Sequence, residues 1–456
     1  MTRVRTTFFC NQCGNETPRW QGQCRACGEW NTLVEAPVTR SPRSRPGARS
    51  GIRTQLPRPV ATPLAEVPPG DSARWASGID ELDFVLGGGI VPGSVVLLGG
   101  EPGIGKSTLL LQLAARLQAA GRPVLYASGE ESAGQVRMRA DRLSEAAGAV
   151  RFIGETDLET ILAAADPAPA VLVVDSIQTV WAPDLEGVPG SVTQVRECAA
   201  RLQRFAKEAG TVVFLVGHVT KGGVVAGPRT LEHIVDTVLY FEGSGGLDHR
   251  VLRATKNRFG AVDEIGVFRM TDSGLAPVAN PSELFLARSG RSVSGTAVAA
   301  AIEGTRPLLV EIQALCTRTN YGAAQRTATG LDRQRLALLL AVLEKRLGVP
   351  FGGLDVFVNV IGGVRLTEPA ADLPVAAALL SSATDRVLPE GSAWFGEVGL
   401  GGEVRPVHHV ERRLAEAARM GFRCAFLAAD AMPARDAGIE LVPLTTLRDL
   451  MDRLPS

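Results

Sequence analysis

"SVVLLGGEPGIGKSTLLLQLAARL", residues 94–117, decides the fold. Its middle, Gly100 to Ser107, reads G-x-x-x-x-G-K-S. The apolar run before it has the length of a buried strand, and the run after it has helical spacing and stops at Gly121. A strand, a glycine-rich turn and a helix in that order cradle phosphate. Backbone N–H groups of the turn wrap a triphosphate, and the helix N-terminus adds favourable partial charge. Gly100, Glu101, Pro102, Gly103, Ile104, Gly105, Lys106, Ser107 and Thr108 are therefore the expected ATP-binding loop. Lys106 is expected to reach the β- and γ-phosphates, and the Ser107 hydroxyl to ligate Mg²⁺.

Three further apolar runs end in residues suited to the same chemistry. "AVLVVDS" closes on Asp175, a Walker B carboxylate that would hold Mg²⁺. "PVLYASGEES" closes on paired acids, and a carboxylate just beyond the γ-phosphate can orient and deprotonate the attacking water. Glu130 is the expected base and Glu131 its support, although acids are also common where a helix begins. "TVVFLVGH" closes on His218, either a γ-phosphate sensor or a satisfied polar residue. Repeated strand–helix units predict an α/β fold with a mostly parallel sheet and its ligand at the strand C-terminal ends.

Only five of the 48 Lys plus Arg residues are lysines: Lys106, Lys207, Lys221, Lys256 and Lys345. A compact ammonium matters where a point charge must fit a phosphate, so these positions stand out. Lys256 shares "ATKNRFG" with Arg258, two positions on, where both would leave one face of a strand. The pair could grip one anion or decorate a solvated hairpin edge.

Net charge is zero, which excludes a global polybasic attraction to nucleic acid or membrane, but residues 1–60 hold ten arginines against three glutamates. No secretory signal and no run of ~20 apolar residues is present. A cytoplasmic protein with no membrane association is expected. Cys10, Cys13, Cys24 and Cys27 form C-x2-C-x10-C-x2-C, two knuckles that aim four thiolates at one closed, structural Zn²⁺ site. The expected organisation is a zinc-binding module over 1–32 and a basic flexible linker over 33–70. An ATPase domain over 71–280 and a further α/β domain over 281–456 follow.

The lead-in "GIDELD…LGGGIVPGS", the P-loop, "SGEES", "GHVTK" and "KNRFG", together with the four cysteines and "GEWNT", resemble the RadA (Sms) family of bacterial DNA repair proteins. These are RecA-like ATPases related to the replicative helicase DnaB, with a zinc ribbon and a Lon-protease-like C-terminal domain. The resemblance implies a DNA-dependent ATPase or helicase that promotes branch migration of recombination intermediates. It implies a homohexameric ring acting on single-stranded and branched DNA, in cooperation with the recombinase RecA. Lys256 and Arg258 would then meet the γ-phosphate of a neighbouring subunit, or else the DNA backbone. Lys221 and Arg229 become candidate DNA contacts, the other reading of their loop being a lid over nucleotide. At the Lon-type serine and lysine positions stand Ala370 and Glu411, so the last domain is expected to be proteolytically inactive. A Lon-type protease and a KaiC-like signalling ATPase are the alternatives.

Overall fold

The computed structural model describes residues 6–10, 16–17, 19–25, 28, 30, 32–37, 63, 74–143, 145–218, 231–243, 249–286, 293–319, 322–433 and 436–454. Cys13, Cys27, Lys221 and Arg229 lie outside these residues, as does the side chain of Cys10. The chain divides into two compact units. One comprises Met1–Phe241, Thr255–Gly260 and Asp272–Gly274; the other comprises Glu242–Ala254, Ala261–Thr271 and Leu275–Ser456.

At the N-terminus, β1 (Thr6–Cys10) pairs antiparallel with β2 (Glu16–Thr17) and with β3 (Leu33–Pro37). Cys10 is the last residue of β1, opposite Leu33. Among the described residues, buried Cys24 and Leu33 pack with Phe8, and a module of about thirty residues is shorter than an apolar core alone usually supports. That deficit is what a metal-closed module would make up.

Within the first unit, β4 (Val95–Gly100), β5 (Val124–Ser128), β6 (Arg151–Ile153), β7 (Val171–Asp175), β8 (Val212–His218) and β9 (Thr237–Glu242) build a parallel sheet. Their order is β9-β4-β8-β7-β5-β6. Every residue of β4, β5 and β7 is buried, which is why their sequences are continuous apolar runs without alternation. Each fully buried Val or Leu contributes about 1.5–3 kcal/mol, so the sheet is the rigid part from which the loops hang.

Helices α1 (Asp80–Val85), α2 (Lys106–Ala119), α3 (Ala133–Leu143), α4 (Leu158–Ala164) and α5 (Val192–Ala209) join or flank these strands. α2 buries Leu109, Leu110, Leu113 and Leu117 at helical spacing and ends where Gly121 takes φ +76. α5 begins at Ser191, whose side chain caps Gln194 N–H, and ends at Gly210.

β10 (His249–Asn257), which lies in the second unit as far as Ala254, pairs antiparallel with β11 (Ile265–Thr271) along 249–253, and β12 (Gly274–Pro277) follows. A seven-stranded mixed sheet runs β15 (Arg326–Thr329), β16 (Leu354–Val360), β14 (Arg306–Arg318), β13 (Thr296–Glu303), β17 (Ser392–Trp394), β20 (Cys424–Ala428) and β21 (Glu440–Leu444). β18 (Glu397–Val398) and β19 (Val404–Arg405) form a separate ribbon. Helix Asp372–Thr384 is buried along most of its length against this core. Among the described residues, no helix is long and apolar enough to cross a membrane.

Candidate active site

Parallel register assembles the site. Gly100 on β4 lies opposite His218 on β8, and Ser128 on β5 opposite Asp175 on β7. Four motifs spread over more than a hundred residues of chain therefore meet at the C-terminal edge of one sheet.

The loop leaving β4 turns through Gly103 at φ +75 and Gly105 at φ +117, a region where a side chain would be strained. Gly105 is the residue before α2, so the turn delivers Lys106 and Ser107 at the helix N-terminus. Lys106 is 3% exposed, and its Nζ donates to the carbonyl oxygens of Gly100 (2.8 Å) and Glu101 (2.9 Å). Burial pulls the pKa of this ammonium below its ordinary value, and the nearby carboxylates of Asp175 and Glu130 oppose that pull.

Asp175 is buried at the tip of β7. The Tyr126 hydroxyl donates to its Oδ2 at 2.6 Å, and Ser107 makes a further side-chain hydrogen bond. Burial raises the Asp175 pKa, and those two hydrogen bonds act against the rise. The Ser107 hydroxyl and Asp175 carboxylate thus stand together where a nucleotide's divalent cation needs oxygen donors, and they suit Mg²⁺. Glu130, Asp175 and His218 each offer a ligand atom within 4.8 Å of the others.

The two acids after β5 part company. Glu130 receives a hydrogen bond from Ser176 Oγ, and His218 Nε2 lies 2.9 and 3.1 Å from its two carboxylate oxygens. The His218 contact holds the Glu130 carboxyl below the usual range; burial works the other way, and the Ser176 bond lowers it further. Glu131 instead forms an ion pair with Arg139 on α3, and its N–H donates to Ser128 Oγ. Glu130 is held at the strand edge by Ser176 and His218, where its charge is felt by Lys106 of the P-loop, whereas Glu131 is tied to a helix.

Lys256 and Arg258 are not brought to this edge. Lys256 Nζ donates to the carbonyls of Glu232 and, at 2.7 Å, Val235; Arg258 Nη1 lies 2.9 Å from Asp236 Oδ1. Asp236 Oδ2 accepts from the N–H of Val95, the first residue of β4. Both cations therefore belong to the N-terminal end of the strand whose C-terminal end carries the P-loop, about 16 Å away along five residues. Burial, then the neighbouring Arg258 charge, lowers the Lys256 pKa.

Several residues of this neighbourhood were not legible as site residues: Tyr126, Ser176, Arg139 and Asp236. Ser176 follows Asp175 directly, so a hydroxyl beside the Walker carboxylate was the available signal. Tyr126 stands in the middle of an apolar strand and gave none.

In the second unit, Ala370 is buried among Ala300, Leu309, Phe395 and Leu414. Glu411 is exposed in the first turn of helix Val410–Arg419, beside a surface hollow it shares with His409, Arg412, Met432 and Pro433. Close by in sequence, Arg413 is 2% exposed and grips Glu368 with both terminal nitrogens at 2.8 and 2.6 Å, while also donating to the Ala300 carbonyl at 2.6 Å.

Comparison with known proteins agrees with this architecture. Residues 61–224, which include the P-loop, Asp175 and His218, match the family described as AAA domain. Residues 8–35, which include all four early cysteines, match the rubredoxin metal binding domain. The fold is thus an α/β P-loop ATPase with a parallel sheet and an N-terminal metal-binding ribbon. The chain is 50% identical to the DNA repair protein RadA of Pseudomonas aeruginosa, with 100% of both chains covered. It is 45% identical to that of Bacillus subtilis and 46% to that of Escherichia coli, covering 99% and 98% of each chain. A nucleotide site built at the tips of parallel strands, and similarity of this extent from one end to the other, lead to one conclusion: the chain belongs to the RadA family of DNA repair proteins.

Proposed function

We propose that this protein is a DNA-dependent ATPase and helicase that drives branch migration of recombination intermediates as a homohexameric ring, in cooperation with the recombinase RecA. The carrying observation is the Glu130–His218 contact at the mouth of the P-loop, because it supplies both a base and a residue able to report on the γ-phosphate. The names of the relatives support DNA as the substrate.

Bound ATP would lie against the backbone of Gly100 to Thr108, with Lys106 turned from the carbonyls it now holds toward the β- and γ-phosphates. Ser107 and Asp175 would hold Mg²⁺, which on binding neutralises phosphate charge. Glu130, kept ionised by His218 and Ser176, orients the attacking water and takes its proton. Hydrolysis would remove the γ-phosphate charge beside the Glu130–His218 pair, and the imidazole would pass the change to the chain that leaves β8, where Lys221 and Arg229 are the proposed DNA contacts.

Lys256 and Arg258 lie at the strand end opposite their own P-loop, a placement that supports a role at the next subunit's γ-phosphate, with Arg258 stabilising transition-state charge in trans. Asp236 sets the direction of that guanidinium. The four early cysteines would bind one structural Zn²⁺. The domain over 281–456 would be a Lon-like scaffold and nucleic-acid surface without proteolytic activity. An alanine offers no nucleophile and Glu411 no amine base. A cytoplasmic location follows from the DNA substrate.

The deciding experiment measures ATP hydrolysis with and without single-stranded DNA, and strand migration on a branched substrate, with Lys106→Ala as the inactive control. Stimulation by DNA together with ATP-dependent migration is expected. Hydrolysis indifferent to DNA would sink the motor and favour a signalling ATPase.

A further inference from the structure

We infer that Tyr126 is a positioning residue for nucleotide-bound magnesium, its hydroxyl fixing the Asp175 carboxylate in the orientation that receives the ion's water shell. The inference rests on the ATPase reading and adds a residue to it.

Register explains the contact. Tyr126 lies opposite Val173, two residues before Asp175, so the carboxylate is its diagonal cross-strand neighbour on the same sheet face. That separation is within reach of a long aromatic side chain. Tyr126 is 1% exposed and Asp175 4%, and the hydroxyl-to-Oδ2 distance is 2.6 Å, the length of a charge-assisted bond.

An ionised carboxylate has about four lone-pair directions. Tyr126 occupies one on Oδ2 and the Ser107 hydroxyl contributes a second contact, which pins the plane of the carboxylate from two elements at once. A carboxylate held by two partners keeps one orientation, here beside the Ser107 hydroxyl in the first turn of α2.

Packing does not require the hydroxyl. The ring alone fills the buried position beneath the strand tips, and a buried hydroxyl is unfavourable unless it finds a partner. Partners that orient a metal-holding group typically change metal affinity 10–100-fold when removed. A merely space-filling Tyr126 would leave magnesium affinity untouched by loss of one oxygen.

The test uses the full chain and a fluorescent ATP analogue, titrated with MgCl2 and, separately, in EDTA. Tyr126→Phe is expected to leave affinity in EDTA unchanged and to raise the magnesium concentration for half-maximal tightening by about 10-fold. In an Asp175→Asn background, where the oriented carboxylate is already lost, the same change should have no further effect on the magnesium midpoint. An unchanged midpoint in Tyr126→Phe overturns the inference. So does an equal loss of affinity with and without magnesium, or a full additional shift in the Asp175→Asn background. A wild-type chain that binds no nucleotide overturns the ATPase reading itself, and this inference with it.

Discussion

His218 Nε2 lies 2.9 Å from Glu130 Oε1, joining residues 88 positions apart in the chain through the parallel pairing of β8 with β7 and of β7 with β5. Glu131, next to Glu130, is paired with Arg139 instead. Changing Glu130 to Gln should therefore lower kcat about 100-fold or more while ATP still binds, since the amide keeps the shape and loses the base. Glu131→Gln should retain most turnover and shift stability by no more than ~1 kcal/mol. Single-turnover hydrolysis and nucleotide binding measured on both variants check this; the reverse pattern would exchange the roles of the two acids.

His218 is the first cause of the lowered Glu130 pKa. Removing the imidazole in His218→Ala lets that pKa rise, so Glu130 becomes protonated at a higher pH than in the wild type. The acid limb of the kcat profile should move upward in pH. A limb that stays in place, or moves down, would show that Glu130 ionisation does not control the step.

Lys256 and Arg258 act in trans under the proposed function. Lys256→Ala and Glu130→Gln subunits, each inactive alone, should regain part of the ATPase rate when mixed. Some interfaces in a mixed ring join a wild-type Glu130 to a wild-type Lys256. Native mass spectrometry establishes mixing, and no recovery in rings shown to be mixed counts against the arrangement.

A module of about thirty residues is too short to fold on an apolar core unaided. Purified protein should carry about one Zn²⁺ per chain. Metal analysis of unchelated protein that finds almost none would remove the zinc site.

Arg413 is buried and grips the partly buried Glu368, and removing one partner of such a pair leaves a charge unmet. Arg413→Leu should destabilise the second unit by about 3–5 kcal/mol, whereas Arg413→Leu with Glu368→Leu should recover much of the loss. Denaturant melts of the single and double variants decide this. Neither variant, nor the wild type, should cleave an unfolded protein substrate.

How far the sequence could be read follows from how local each signal is. The P-loop works through consecutive residues, so strand, turn and helix were visible in one stretch. Asp175, Glu130 and His218 each end an apolar run, and a run's end is visible without knowing its neighbours. What joined them was strand order and register, which no single stretch contains. Tyr126 acquires a meaning only when β5 is laid beside β7. Arg258 and Asp236 are 22 residues apart and look like an ordinary surface cation and acid until β9 brings Asp236 between the start of β4 and the end of β10. The Arg413–Glu368 grip spans 45 residues and was likewise invisible, since both residue types are usually exposed.

Asp236 holds Val95 N–H with one oxygen and Arg258 with the other, so β4 is moored at one end to a cation and at the other runs straight into the P-loop. On the proposed trans arrangement, β4 becomes a strut between two nucleotides, its own and its neighbour's. A pull on Arg258 by the adjoining phosphate would load the root of the strand, and a fully buried parallel strand has little room to bend. Occupancy of one pocket would then be felt as tension in the next, giving the ring a way to fire its sites in sequence without any loop having to carry the message.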